Sequence, residues 1–167
     1  MILQRLKEFL DNRQIKYMVI QHSPAYTSLE IAAMAKIPGK EIAKTVIVNA
    51  DGKKLMVVVP ASHMVDFTSL RIFINAEQAE LAGEQQFKDL FPDCEVGAMP
   101  PFGNLFSMDV VVAESLAEDE MIAFNAGTHK ELIRMTYRDF ASLVQPKVTK
   151  CSFPKRHSIS REAWDIP

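Results

Sequence analysis

Apolar residues at Ile2, Leu3, Leu6, Phe9 and Leu10 line one face of a predicted helix that ends near Asn12, and residues 16–21 then read as a short strand. Residues 22–26 form a loop. Thr27, followed by Glu30, carries the signature of a capped helix start, and that helix runs through Ala35 until Pro38-Gly39 stops it. Two β-rich runs, 41–49 and 54–60, flank an Asp51-Gly52 pair and predict a hairpin. Helical patterns are expected over 62–70 and over 76–91, the second broken at Gly83 and closed by Pro92. A turn-rich loop covers 96–104. Strands are predicted over 107–113, 120–125 and 131–135, and a last helix over 137–144 ended by Pro146. Such a mixture makes an α+β fold with a mixed, largely antiparallel sheet.

Composition narrows the class. Of the 167 residues 48% are hydrophobic and 24% charged, with 19 Lys and Arg against 21 Asp and Glu, which fits one soluble globular domain and excludes collagen, coiled coil and general disorder. The longest apolar run, 55–61, is far shorter than the roughly 18 to 20 residues of a membrane span. Gln4, Arg5, Lys7 and Glu8 interrupt the stretch where a signal peptide needs an apolar run, so a cytoplasmic protein with no membrane partner is expected. No repeat or linker precedes Gln145. The expected organisation is one domain over 1–146 and a basic, solvated tail over 147–167, in which Lys147, Lys150, Lys155, Arg156 and Arg161 outnumber Glu162 and Asp165. The remainder is net acidic, which argues against coating of long nucleic acid yet admits contact with one phosphate-bearing end.

Familiar chemical motifs are absent. There is no GxGxxG, HExxH or GxSxG; Gly39-Lys40 lacks the rest of a phosphate loop, because Met34 stands at its first glycine and Glu41 at its Ser or Thr. His22, His63, His129 and His157 are scattered without ligand spacing, so neither a metal nor a cofactor is expected. Cys94 and Cys151 form no CxxC pair and read as ordinary thiols.

Three features remain. Lys44, in Glu41-Ile-Ala-Lys-Thr-Val-Ile-Val48, shares a strand face with Ile42, Val46 and Val48; an ammonium there either meets an anion or polar cleft, or snorkels to water from the strand's start. Gly97-Ala98-Met99-Pro100-Pro101-Phe102-Gly103 is a loop whose prolines stiffen it and whose glycines allow close backbone approach. It either holds N–H groups toward a carbonyl oxygen or simply turns the chain. His129, in Asn125-Ala-Gly127-Thr-His129-Lys130, is a turn histidine, a residue type more often solvated than functional.

In this order the strand lysine Ala-Lys44-Thr-Val-Ile-Val, the Gly97-xxx-Pro101 loop and the Gly127-Thr-His129 turn, followed by a strand and the Tyr137-Arg-Asp-Phe helix, resemble the YbaK family, stand-alone relatives of the editing insertion domain of bacterial prolyl-tRNA synthetases. The resemblance runs from about Leu3 to Pro146. It implies a single α+β domain with a curved or barrel-like sheet surrounded by helices. It also implies hydrolysis of the ester that joins a wrong, small amino acid to the terminal adenosine of tRNA. Lys44 then corresponds to the family's essential lysine, Gly97 and Pro101 to the ends of its substrate loop, and His129 to the pocket histidine of the synthetase-embedded members. Ala98, Met99, Pro100, Gly127 and Tyr26 complete the expected substrate site, with Met99, Phe102 and Tyr26 as walls. The implied partner is the aminoacyl-tRNA acceptor end, with a synthetase as a second candidate. The turn departs from the Gly-Gly-Lys-Arg-Gly type of YbaK itself, so that protein's cysteine specificity is not implied. A non-catalytic module that uses the same cleft for a nucleotide-like ligand or a protein is the alternative.

Overall fold

A computed structural model of the chain describes residues 2–25 and 27–155. Its first elements follow local sequence closely. Helix α1 (Ile2–Asn12) buries Ile2, Leu3, Leu6 and Leu10, strand β1 (Met18–Gln21) follows, and α2 (Ser28–Ala35) begins where the Thr27 side chain accepts a hydrogen bond from the Glu30 N–H at 3.1 Å. Strands β2 (Ile42–Ala50) and β3 (Lys53–Pro60) form the expected hairpin. Its central residues Asp51 and Gly52 both have positive φ, 49° and 83°, the left-handed geometry that matches the twist of a two-residue turn.

The next region departs from expectation. Residues 62–70 are not one helix but β4 (His63–Val65) and then α3 (Phe67–Ile74), which the Asp66 carboxylate caps through the Ser69 N–H at 3.1 Å. Residues 76–91 contain β5 (Ala79–Leu81), then α4 (Glu84–Phe87) and a short 3-10 turn. Helical periodicity failed here because β4 and β5 are held by distant partners rather than by their own spacing. The rest is β6 (Val110–Ala113), α5 (Glu114–Ala117), β7 (Met121–Asn125), β8 (Glu131–Thr136) and α6 (Tyr137–Val144). Two more strands follow Pro146, β9 (Lys147–Thr149) and β10 (Ser152–Pro154). Residues 147–155, set apart by their charge as a solvated tail, thus pair with β6 and β4, and Cys151 between them is fully buried. Arg156, Arg161, Glu162, Asp165 and His157 lie outside the described residues.

The main sheet has the order β1-β8-β7-β2-β3-β6-β9, with β5 also on β2. Pairs β2–β7, β3–β6 and β6–β9 are parallel and the others antiparallel. It is therefore a mixed sheet. Its terminal strands β1 and β9 do not meet, so the barrel that the resemblance allowed is not closed. Helices and loops pack on the sheet to make one compact α+β domain whose main core centres on Phe102, Phe124 and Phe140, with ring centroids 5.4 to 6.5 Å apart. Among the described residues no helix is long and apolar enough to cross a membrane.

Strand β2 has one edge fully occupied by β3, from Ala43 to Ala50. The other edge is divided: β7 pairs with Ile42 and Ala43, and β5 with Val48, Asn49 and Ala50. Between them residues 44–46 have no ladder partner among the described residues, and the sheet splits at Lys44.

Candidate functional site

Alternation along β2 places Ala43 and Ile47 in the main core, while Ile42 and Val48 face the other way. On that second face the apolar packing is itself in two pieces, one around Ile42, Ile31 and Leu132 and one around Val48, Val57 and Leu70. Lys44 lies between Ile42 and Val46 at the gap between those pieces. Its Nζ donates to the His63 carbonyl oxygen at 2.9 Å. The β3–β4 turn brings that carbonyl over β2, since the Ala61 N–H holds the Ile42 carbonyl at 2.8 Å. Burial, with the nearby Lys155 ammonium, lowers the Lys44 pKa from 10.5 to about 8. Among the described residues no carboxylate is in ion-pair range of it. Lys44 is thus partly buried, with its ammonium on a backbone carbonyl oxygen.

His63 Nδ1 and Ser152 Oγ are 2.8 Å apart, and burial together with the Lys44 charge pushes the imidazole pKa down. Neither His63, Ser152 nor Lys155 was legible as a site residue, because β4 meets β10 only through a pairing of distant segments.

The other two expected features meet each other beside this gap. Strand β7 runs parallel to β2 with Phe124 opposite Ala43, so the turn 126–130 leaves the sheet next to Lys44. The Glu95 N–H donates to the Gly127 carbonyl at 2.8 Å, and the Gly127 N–H to the Ala98 carbonyl at 2.9 Å. The His129 N–H reaches a Glu95 carboxylate oxygen at 3.2 Å. His129 Nε2 lies 2.8 Å from the Val96 carbonyl oxygen, which can only accept, so Nε2 carries the proton in this arrangement. His129 is only 7% exposed. Its imidazole ties the loop to the turn, in place of the solvated turn histidine that its residue type suggested.

In the loop, Gly97 has φ 84°, and a side-chain carbon there would stand 3.5 Å from the His129 ring. The Ala98 N–H is spent on the Glu95 carbonyl at 3.0 Å. Pro100 and Pro101 have no N–H to give. Between Gly97 and Pro101, therefore, the N–H groups without an acceptor among the described residues are those of Gly97 and Met99. The side chains of Met99 and Phe102 lie in the main core, and Pro100, Pro101 and Gly127 are buried. Tyr26 lies outside the described residues.

The two thiols are poor nucleophiles. Burial raises the Cys94 pKa to about 12 and the Cys151 pKa to about 11, well above the ordinary thiol value. Iodoacetamide at neutral pH is expected to leave both unmodified in the folded protein and to label both after denaturation; rapid labelling of native protein, read by mass spectrometry, would contradict these environments. Among the described residues no cluster of His, Cys, Asp and Glu could hold a metal ion. A groove of about 690 Å³ lies at the far end of β2, beside Ala50, Asp51, Asn75 and Asp109, and contains none of the expected residues. Its carboxylates are already engaged, Asp51 by the N–H groups of Glu77 and Gln78 and Asp109 by Lys53.

Comparison with known proteins bears on this geometry. A family model described as the aminoacyl-tRNA editing domain matches residues 22–143. Proline–tRNA ligases of Bacillus mycoides (strain KBAB4) and Bacillus cereus (strain AH187) are 26% identical to it over 88 residues, which is 53% of this chain and 15% of each ligase. The chain thus corresponds to a small part of those relatives. Among solved structures, hypothetical protein APE2540 superposes with a TM-score of 0.81 at 22% identity, covering 89% of this chain and 99% of that one. A protein proposed as a trans-editing enzyme for prolyl tRNA synthetase gives 0.78 at 17% identity, covering 90% and 96%. At these identities the likeness is one of fold.

Proposed function

Because the chain belongs to the aminoacyl-tRNA editing domain family, we propose that it acts in trans as a deacylase, hydrolysing the ester between a small amino acid and the terminal adenosine of a mischarged tRNA. The observation that carries this reading is Lys44, a cation held in a gap of the sheet without a carboxylate in range among the described residues. An anionic ligand is the natural complement of such a group. Lys44 anchors the phosphate or ester of the acceptor end, and the N–H groups of Gly97 and Met99 face the carbonyl oxygen as negative charge develops on it.

An aminoacyl ester is already activated, so no protein nucleophile is required. Water adds to the carbonyl carbon, the bond to the ribose oxygen breaks, and that oxygen takes the proton that the water gives up. Free amino acid and uncharged tRNA leave. The neighbouring ribose hydroxyl positions the water. His129 contributes by fixing the loop against the turn, which makes the donors rigid before substrate arrives. A rigid wall of this kind selects by size, the discrimination that a synthetic pocket cannot make among small side chains. The aminoacyl-tRNA acceptor end is the partner in this reading, and a synthetase that releases the mischarged product is the second.

Single-turnover hydrolysis of tRNAs carrying alanine, cysteine, serine or threonine tests the proposal. Rapid loss of one or two of these groups is expected. No acceleration over buffer across the panel would overturn it, and equal rates on free amino-acid esters would make the protein a small esterase instead.

A further inference from the structure

Strand β10 brings a second cation to Lys44. Lys155 follows Pro154, and its backbone N–H donates to the Ser62 carbonyl at 2.9 Å, which fixes the chain against the β3–β4 turn. Lys44 holds the same turn from the other side through the His63 carbonyl. The two lysines are thus anchored on adjacent residues of one turn, where the Lys155 charge acts on Lys44, with no carboxylate in ion-pair range of either among the described residues. Like charges so placed repel, and partial burial strengthens the repulsion. The pairing of β10 with β4 keeps them together, with Pro154 opposite His63 and Ser152 Oγ against the His63 ring. An anion with several oxygens removes the conflict, because it accepts from both ammonium groups at once.

We propose that Lys155 and Lys44 form a two-cation seat for a phosphate group, which in the substrate is the phosphodiester on the 5′ side of the terminal adenosine. Lys155 lies beyond the residues that the family model matches, 22–143, so the seat is completed by a strand outside that span. The assignment to tRNA rests on the deacylase reading; the affinity for phosphate does not.

The test uses the full chain and adenosine 5′-monophosphate, with adenosine as the uncharged control, followed by calorimetry or nuclear magnetic resonance. The wild-type protein is expected to bind the monophosphate more tightly than adenosine. Lys155→Met, which keeps the aliphatic stem, and Lys155→Ala are expected to weaken the monophosphate about 10-fold and to leave adenosine unchanged, while Lys155→Arg restores binding. With aminoacyl-tRNA the Met and Ala variants raise KM with kcat little changed, and lower the salt dependence of binding by about one unit of slope. Melting curves check that β10 remains docked. Wild-type affinity for the monophosphate in folded Lys155→Met would overturn the seat. So would equal losses for the monophosphate and adenosine in all three variants, since that pattern marks a packing role. If the wild-type protein hydrolyses no aminoacyl-tRNA yet Lys155→Met selectively loses the monophosphate, the deacylase reading fails and the phosphate seat stands.

Discussion

Lys44→Met is expected to slow single-turnover deacylation by about 100- to 1,000-fold, the loss typical when one preorganised electrostatic group is removed from an active site, while the fold stays at least as stable. Methionine preserves the length of the side chain and removes the charge. It therefore removes both the desolvation of the ammonium and its repulsion by Lys155. The dependence on pH separates the two effects. With a folded pKa of about 8 against 10.5 in the unfolded chain, the native protein has released a proton between those values that the unfolded chain still holds. The Lys44 contribution to stability accordingly rises with pH through that window, and its cost is full below about pH 8. Ligand binding runs the other way, because only the ammonium attracts the anion, so kcat/KM falls as pH climbs through about 8. The stability gap between Lys44→Met and wild type is expected to shrink from pH 8 to 10.5. Cys94 and Cys151 titrate in both proteins, so their contributions cancel in that comparison. Denaturant titrations and buffer-corrected rates across this range are the measurements. A Lys44→Met protein that deacylates at the wild-type rate would remove the residue from the mechanism.

Gly127→Ala is expected to cost about 3 kcal/mol of stability, combining backbone strain with an overpacked contact. Gly127 has φ 99°, a conformation that L side chains rarely adopt, and a side-chain carbon there would overlap the buried Ile2 side chain. The two causes can be separated. Ile2→Ala alone should cost about 2 to 5 kcal/mol, as for other buried aliphatic truncations. In the double variant the clash is gone and only the strain remains, so the combined loss falls short of the sum by about 1 kcal/mol or more. Urea titrations of the four proteins measure the coupling, and strict additivity would mean that Ile2 is not the obstacle. The rate should fall as well in Gly127→Ala, since this residue is hydrogen-bonded through both its N–H and its carbonyl to the loop that holds Gly97 and Met99.

What could be read from sequence was whatever local interactions decide. The stripe of α1, the Thr27 cap and the Asp51-Gly52 turn each need only near neighbours, and each formed as expected. Lys44 stood out because a charge in an apolar strand has few acceptable surroundings. Which surroundings it has depends on β4, and β4 is a strand only because β10 pairs with it from the other end of the chain. The same dependence hid β5, which exists as a partner of the far half of β2. His129 was recognisable as a residue of interest. Its near-complete burial was not, because it depends on how a loop from 95–98 lies across the turn.

The position of β10 after β4 in the chain also governs when this part of the molecule is assembled during synthesis. Domains begin to fold from the N-terminal side as the chain emerges from the ribosome. A nascent chain that ends before Ser152 already contains the β2–β3 hairpin, the 95–103 loop and the 126–130 turn, but neither the partner of β4 nor Lys155. During that interval the His63 segment lacks its β10 partner. The second cation of the proposed seat is thus supplied only once residues 152–155 have been made, well after Lys44 and the loop and turn beside it.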